Sequence, residues 1–126
     1  MPKDIVVSDK LPAPKGPYSP AVRAAGLVFV SGQGPIDPAT GEVMRGDIRE
    51  QTRLVLENIR AILTAAGSSM HKVVKTNVYL TDIAQFGAMN EVYGAFFPTE
   101  PPARTTIQAA ALPLGIAVEI DVIALS

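Results

Sequence analysis

The clearest periodicity in the chain runs from Asp47 to Ala66, where Ile48, Thr52, Val55, Ile59, Ile62, Leu63 and Ala66 recur at steps of three and four. That spacing lays one buried stripe along an α-helix. Asp47 followed three residues later by Glu50 makes a capping-box-like start, and Gly67 suits the left-handed position just past a helix end. Arg49, Arg53, Glu57 and Arg60 fall off the stripe and read as its solvated face. From Val73 to Leu80 the period changes to two. Val74, Thr76, Val78 and Leu80 share one side there, while Val73, Lys75, Asn77 and Tyr79 share the other, as in a sheet strand. Thr81-Asp82 then caps a second helix with the stripe Phe86, Met89, Tyr93, Phe96 and Phe97, which Pro98 stops. Asn90 is the one polar residue marked beside that stripe.

Short apolar runs flank this centre. Ile5 to Val7 suggests a brief edge strand. Val22 to Ser31 reads as a strand or hairpin turning at Ala25-Gly26, with Leu27 to Val30 expected to be fully buried. Arg104 to Ala111 and Ala117 to Leu125 form two closing strands joined through Leu112-Pro113-Leu114-Gly115. With no internal repeat or linker, residues 1–126 read as one domain in the order strands, helix, strand, helix, strand, strand. Two amphipathic helices cover only one face of such a sheet. The strands carry apolar residues on both faces, so a closed homo-oligomer is the economical cover, with clefts for ligands between subunits.

Composition sharpens this picture. Of 126 residues, 48% are hydrophobic and only 18% charged, yet no run approaches the ~20 apolar residues that span a bilayer. The formal net charge is −1 and the Lys and Arg residues are scattered, which argues against nucleic acid as the main partner. The chain has no cysteine and one histidine, so thiolate nucleophiles, cysteine or His-rich metal sites and His-based triads are excluded. His71 lies in a loop beside Lys72 and reads as non-catalytic. Met1 to Asp9 carries no signal or transit pattern, from which a cytoplasmic location is expected.

The polar residues that remain point to one region. Pro101-Pro102-Ala103 delivers Arg104 stiffly into a strand, where Arg104, Thr106 and Gln108 share a face. In Val118-Glu119-Ile120-Asp121-Val122, both carboxylates lie opposite the valines and isoleucine. If these strands are neighbours, a guanidinium and a carboxylate line one cleft, although a structural Arg104–Glu119 ion pair satisfies the same pattern. Tyr18 is fixed in the Pro/Gly loop from Pro12 to Pro20, either at a site or over a core edge. Gly32-Gln33-Gly34-Pro35 is no phosphate loop, and its glycines suit close approach by another strand or a ligand.

Four stretches in order carry a family resemblance: Gly16-Pro17-Tyr18-Ser19, Val30-Ser31-Gly32-Gln33, Met89-Asn90-Glu91-Val92-Tyr93, and Pro102-Ala103-Arg104 followed by Val118-Glu119-Ile120. Over one whole domain they resemble the RidA/YjgF/YER057c/UK114 family of reactive-intermediate, or imine, deaminases. The resemblance implies an α+β, chorismate-mutase-like fold (β-β-α-β-α-β-β), with two helices on one face of a mixed sheet and a homotrimer with inter-subunit clefts. It also implies a hydrolase that converts 2-iminopropanoate and 2-iminobutanoate, which PLP-dependent dehydratases release, to 2-keto acids and ammonia without a cofactor.

Carried over by position, Arg104 holds the substrate carboxylate and Glu119 positions the attacking water, Tyr18, Ser31 and Asn90 lie around the cleft, and backbone groups near Gly32 and Thr106 orient the ligand. Arginine suits its part because its planar fork grips a carboxylate bidentately. Many members have cysteine where this chain has Thr106, which bears on substrate size and redox behaviour rather than on hydrolysis. An alternative is a binding protein that holds small carboxylates at the same cleft, for which Glu119 is dispensable. Older descriptions of the family as endoribonucleases or translation inhibitors fit poorly with a chain lacking a basic patch.

Overall fold

The computed structural model describes residues 2–126 and contains one six-stranded sheet with two helices on one face. Its strands are β1 (Asp4–Val6), β2 (Ala21–Ala24), β3 (Leu27–Gln33), β4 (Val73–Leu80), β5 (Ala103–Gln108) and β6 (Val118–Leu125). The helices are α1 (Ile48–Ala65), between β3 and β4, and α2 (Phe86–Phe96), between β4 and β5. The α+β architecture is the expected one, and the short N-terminal strand completes the sheet as its sixth member.

Helix α1 starts and stops where its local chemistry dictates. The Asp47 side chain accepts from the Glu50 backbone N–H at 2.9 Å, satisfying one of the orphan donors of the first turn. Gly67 takes the left-handed conformation, φ +79°, beyond the last turn. Arg23 of β2 donates to the Ala66 carbonyl at 2.9 Å and ties that end to the sheet. All seven stripe residues named from the sequence are buried. Val55, Leu56, Ile59, Ile62 and Leu63 form the core with Val28, Val30, Val78, Leu80, Val118, Ile120 and Val122 from the strands below.

Strand order is β1-β2-β3-β6-β4-β5. The last strand of the chain thus inserts at the centre, antiparallel to both β3 and β4, and β5 lies at the edge, parallel to β4. The β2–β3 hairpin turns at Ala25-Gly26, both at positive φ, as a two-residue hairpin turn requires.

Because the helices cover one face, the central strands alternate between buried and open residues except where β3 and β4 shift register. Phe29, expected to be buried with its neighbours, is 40% exposed while Val28 and Val30 are buried. In β4 a register shift between Val73 and Lys75 buries Val73 and exposes Val74, reversing the expected sides of those two valines. The open face therefore presents Ile5, Phe29, Ile107 and Leu125, each with 40% or more of its surface in solvent.

Candidate functional site

Arg104 and Glu119 do not lie on neighbouring strands. β4 runs between their two strands, and the pairing register places them on opposite faces of the sheet. Arg104 is paired with Thr76, which is paired with Val122, and both of those side chains are buried beneath the helices. Glu119 is paired with Tyr79, whose other partner is the exposed Ile107 of the open face. A cleft holding both within one protomer, and a structural ion pair between them, are ruled out by this parity. Period-two alternation assigns faces within a strand, but the relation between two strands depends on pairings that sequence distance does not reveal.

The arginine half is built by β5 and α2. The guanidinium carbon of Arg104 sits 4.7 Å from the ring centroid of Tyr93 and 5.3 Å from that of Phe86. Phe86, expected in the core, is 39% exposed because it lies over the edge strand rather than the sheet centre. Thr106, two residues along the same face as Arg104, buries a hydroxyl oxygen that has no hydrogen-bond partner. Asn90, on the stripe between Phe86 and Tyr93, likewise buries an unpartnered amide oxygen. Buried polar atoms are ordinarily satisfied, and these two share the exception with the hydroxyl of Thr52 in the α1 core.

The glutamate half is built by a β-bulge. Between Val30, paired with Val122, and Gln33, paired with Ile120, two residues of β3 oppose the single Asp121 of β6. Those two are Ser31 and Gly32. The Ser31 hydroxyl donates to the Ser19 carbonyl at 2.6 Å, and the Ser31 backbone N–H donates to the Pro20 carbonyl at 3.0 Å. The Pro/Gly loop is thereby fastened to the bulge. Gly32 lies against the Glu119 carboxylate with no room for a side chain between. Tyr18 is half exposed, accepts from the Lys15 backbone N–H at 3.0 Å, and shares a small recess with Gly32 and Gln33.

Burial first, and then the neighbouring Asp121 carboxylate, push the Glu119 carboxyl above the ordinary carboxylate range. Asp121 accepts from Asn77 Nδ2 at 2.8 Å, and desolvation followed by Asp121 raises the Tyr79 phenol. Asp121 and Tyr79 thus belong to the Glu119 environment and are additions to the site residues expected from sequence. The available signals were the i, i+2 spacing of Asp121 from Glu119 and the place of Tyr79 on the polar side of its strand.

The expected residues therefore divide into two groups. Tyr18, Ser31, Gly32 and Glu119 gather on one side, and Asn90, Arg104 and Thr106 on the other. Two roomy clefts, of about 430 and 480 Å³, lie along the outer side of the helices around Arg60 and Thr64, and neither is lined by Arg104 or Glu119.

A family profile described as Endoribonuclease L-PSP matches residues 8–126. A "RutC family protein" of Pyrococcus abyssi is 48% identical over 98% of each chain. The "Reactive Intermediate Deaminase A, chloroplastic" of Arabidopsis thaliana is 45% identical over 97% of this chain and 65% of its own. The crystal structure of RidA from an Antarctic Psychrobacter superposes with a TM-score of 0.94 at 45% identity, covering 98% of this chain and 99% of that one.

Proposed function

The chain belongs to the RidA/YjgF/UK114 family, the group described as Endoribonuclease L-PSP, and from that premise we propose that it hydrolyses reactive 2-imino acids to 2-keto acids and ammonia. The carrying observation is the placement of Arg104 and Thr106 on one sheet face and Glu119 on the other. The two halves meet if the β5 edge of one subunit packs against the open sheet face of a second. A closed ring of copies, the homotrimer implied by the resemblance, completes each site in that way and also covers Phe29, Ile107 and Leu125.

In such a site the Arg104 fork takes the carboxylate of 2-iminopropanoate or 2-iminobutanoate bidentately and fixes the C=N carbon. The Thr106 hydroxyl donates to the same carboxylate. Glu119, ionised and held against Gly32, accepts a proton from a water as its oxygen attacks that carbon. On the protonated imine this gives a carbinolamine. Glu119 passes its proton to the nitrogen, the C–N bond breaks as the hydroxyl becomes the keto C=O, and the hydroxyl proton leaves with the ammonia as ammonium. A carboxyl with a raised pKa is a better proton acceptor near neutrality than an ordinary glutamate. Imines hydrolyse unaided in water, so positioning plus one proton acceptor, each contributing roughly two or more orders of magnitude, is sufficient.

The test is release of keto acid and ammonia from 2-iminobutanoate and 2-iminopropanoate generated in situ by a threonine or serine dehydratase. Wild type, Arg104→Ala and Glu119→Ala are compared. Acceleration lost in both variants is the expected result. Binding of 2-oxobutanoate through Arg104 with no acceleration by wild type would assign the chain to carboxylate binding instead.

A further inference from the structure

We propose that Phe86 and Tyr93 form an aromatic clamp that orients the Arg104 guanidinium, making both of them positioning residues for carboxylate recognition. The inference rests on the reading of Arg104 as the carboxylate site and adds what holds that arginine in place.

An arginine on an edge strand ordinarily sweeps a wide arc, and binding a ligand must immobilise it. Here the guanidinium lies against two rings of α2, at 4.7 and 5.3 Å from their centroids, both within cation–π range. Tyr93 is itself anchored. It is 6% exposed, its hydroxyl shares a 2.8 Å hydrogen bond with the buried Thr76 hydroxyl, and its ring packs 4.7 Å from that of Phe97. Burial keeps Tyr93 a neutral phenol, against the opposing influence of Thr76 and Arg104, so its ring contacts the cation without neutralising it.

Among the described residues, ion pairs join Arg49 with Glu91 and Arg60 with Glu57, whereas no carboxylate lies within ion-pair distance of Arg104. With rings against the guanidinium, its N–H edge is what remains for a ligand, and that edge matches a planar carboxylate. Phe86 and Tyr93 are seven residues apart on α2, with Asn90 between them on the same stripe, so one helix face supplies both rings and the unpartnered amide oxygen. The aromatic stripe that reads as core from sequence thus has a second task at its exposed end.

The experiment compares wild type, Phe86→Leu, Phe86→Tyr, Tyr93→Phe and Arg104→Ala. Calorimetry gives Kd for 2-oxobutanoate, imine turnover gives KM and kcat, and the Arg104 Nε–H resonance is followed by NMR without ligand. Phe86→Leu is expected to weaken 2-oxobutanoate binding about tenfold, with the loss falling on KM rather than kcat, and to move the Nε–H signal toward its free position. Phe86→Tyr and Tyr93→Phe, which keep the rings, should bind within about threefold of wild type. Wild-type affinity in Phe86→Leu, or an Nε–H signal unmoved by that substitution, overturns the clamp. A restrained Nε–H signal together with carboxylate binding but no turnover would sink the deaminase reading while leaving the clamp standing. Wild type that binds no 2-oxobutanoate overturns the clamp's role in carboxylate recognition.

Discussion

A Cβ built on Gly32 would fall 2.8 Å from the Cδ of Glu119, and closer still to Oε2. The bulge in β3 and the carboxylate of β6 therefore fit only because position 32 has no side chain. The obstructing atoms are the far end of a flexible side chain, so Gly32→Ala can fold by turning Glu119 aside. The expected outcome is imine turnover reduced about 100-fold or more, since a positioned proton acceptor contributes roughly that order of rate. Thermal unfolding should move little, and wild-type turnover in the variant would show that Glu119 is not needed where it stands.

The raised pKa of Glu119 sets the acid side of the rate profile. Turnover that needs its ionised form falls as pH drops through a value above the ordinary carboxylate range. Asp121→Asn removes the second cause of the shift and leaves burial, the first. The acid limb of kcat/KM should then move to lower pH without returning fully to that of a free glutamate. A limb that stays in place, or moves upward, would detach Asp121 from the titration.

The same shift has a consequence for stability. A carboxyl whose folded pKa is raised holds its proton more tightly in the folded than in the unfolded chain, so its ionisation destabilises the fold as pH rises through the folded value. Glu119→Gln should abolish turnover while unfolding at or above the wild-type temperature at neutral pH. The difference should shrink below the ordinary glutamate range, where both forms are neutral. Thermal scans across that window check the sign, and a variant less stable than wild type at pH 7 contradicts it.

The opposite-face placement of Arg104 and Glu119 predicts complementation. Arg104→Ala and Glu119→Ala, each inactive alone, are unfolded together and refolded as a mixture. If every site takes its arginine from one subunit and its glutamate from the next, a random mixture should recover roughly a quarter of wild-type activity. No recovery, with mixed assemblies demonstrated by mass, would show that Arg104 and Glu119 do not share a site.

The open face is expected to hold copies together. Phe29, at its centre beside Ile123, is 40% exposed in the single chain. Phe29→Glu puts a charge there, so sedimentation should report a smaller species with helical content retained. An unchanged assembly would move the interface elsewhere.

Much of this was legible along the chain. The cap at Asp47, the stop at Gly67 and the seven buried positions of α1 follow from short-range spacing, which a helix expresses through its own turns. The hairpin turn at Ala25-Gly26 and the two-sided strands follow equally from local chemistry. Phe86 misled because an aromatic on a helical stripe is usually core, and only the edge position of β5 leaves that end of the stripe uncovered.

Short-range spacing is enough to establish which segments are helix and strand and which polar residues stand out as candidate chemistry. Tertiary structure alone decided that β6 enters between β3 and β4, that Ser31 and Gly32 bulge opposite Asp121, and that Arg104 and Glu119 face away from each other. The reason is that alternation is a property of one strand. Strand order and register are set by side chains tens of residues apart burying a common face, and inserting one strand between two others changes which residues can meet.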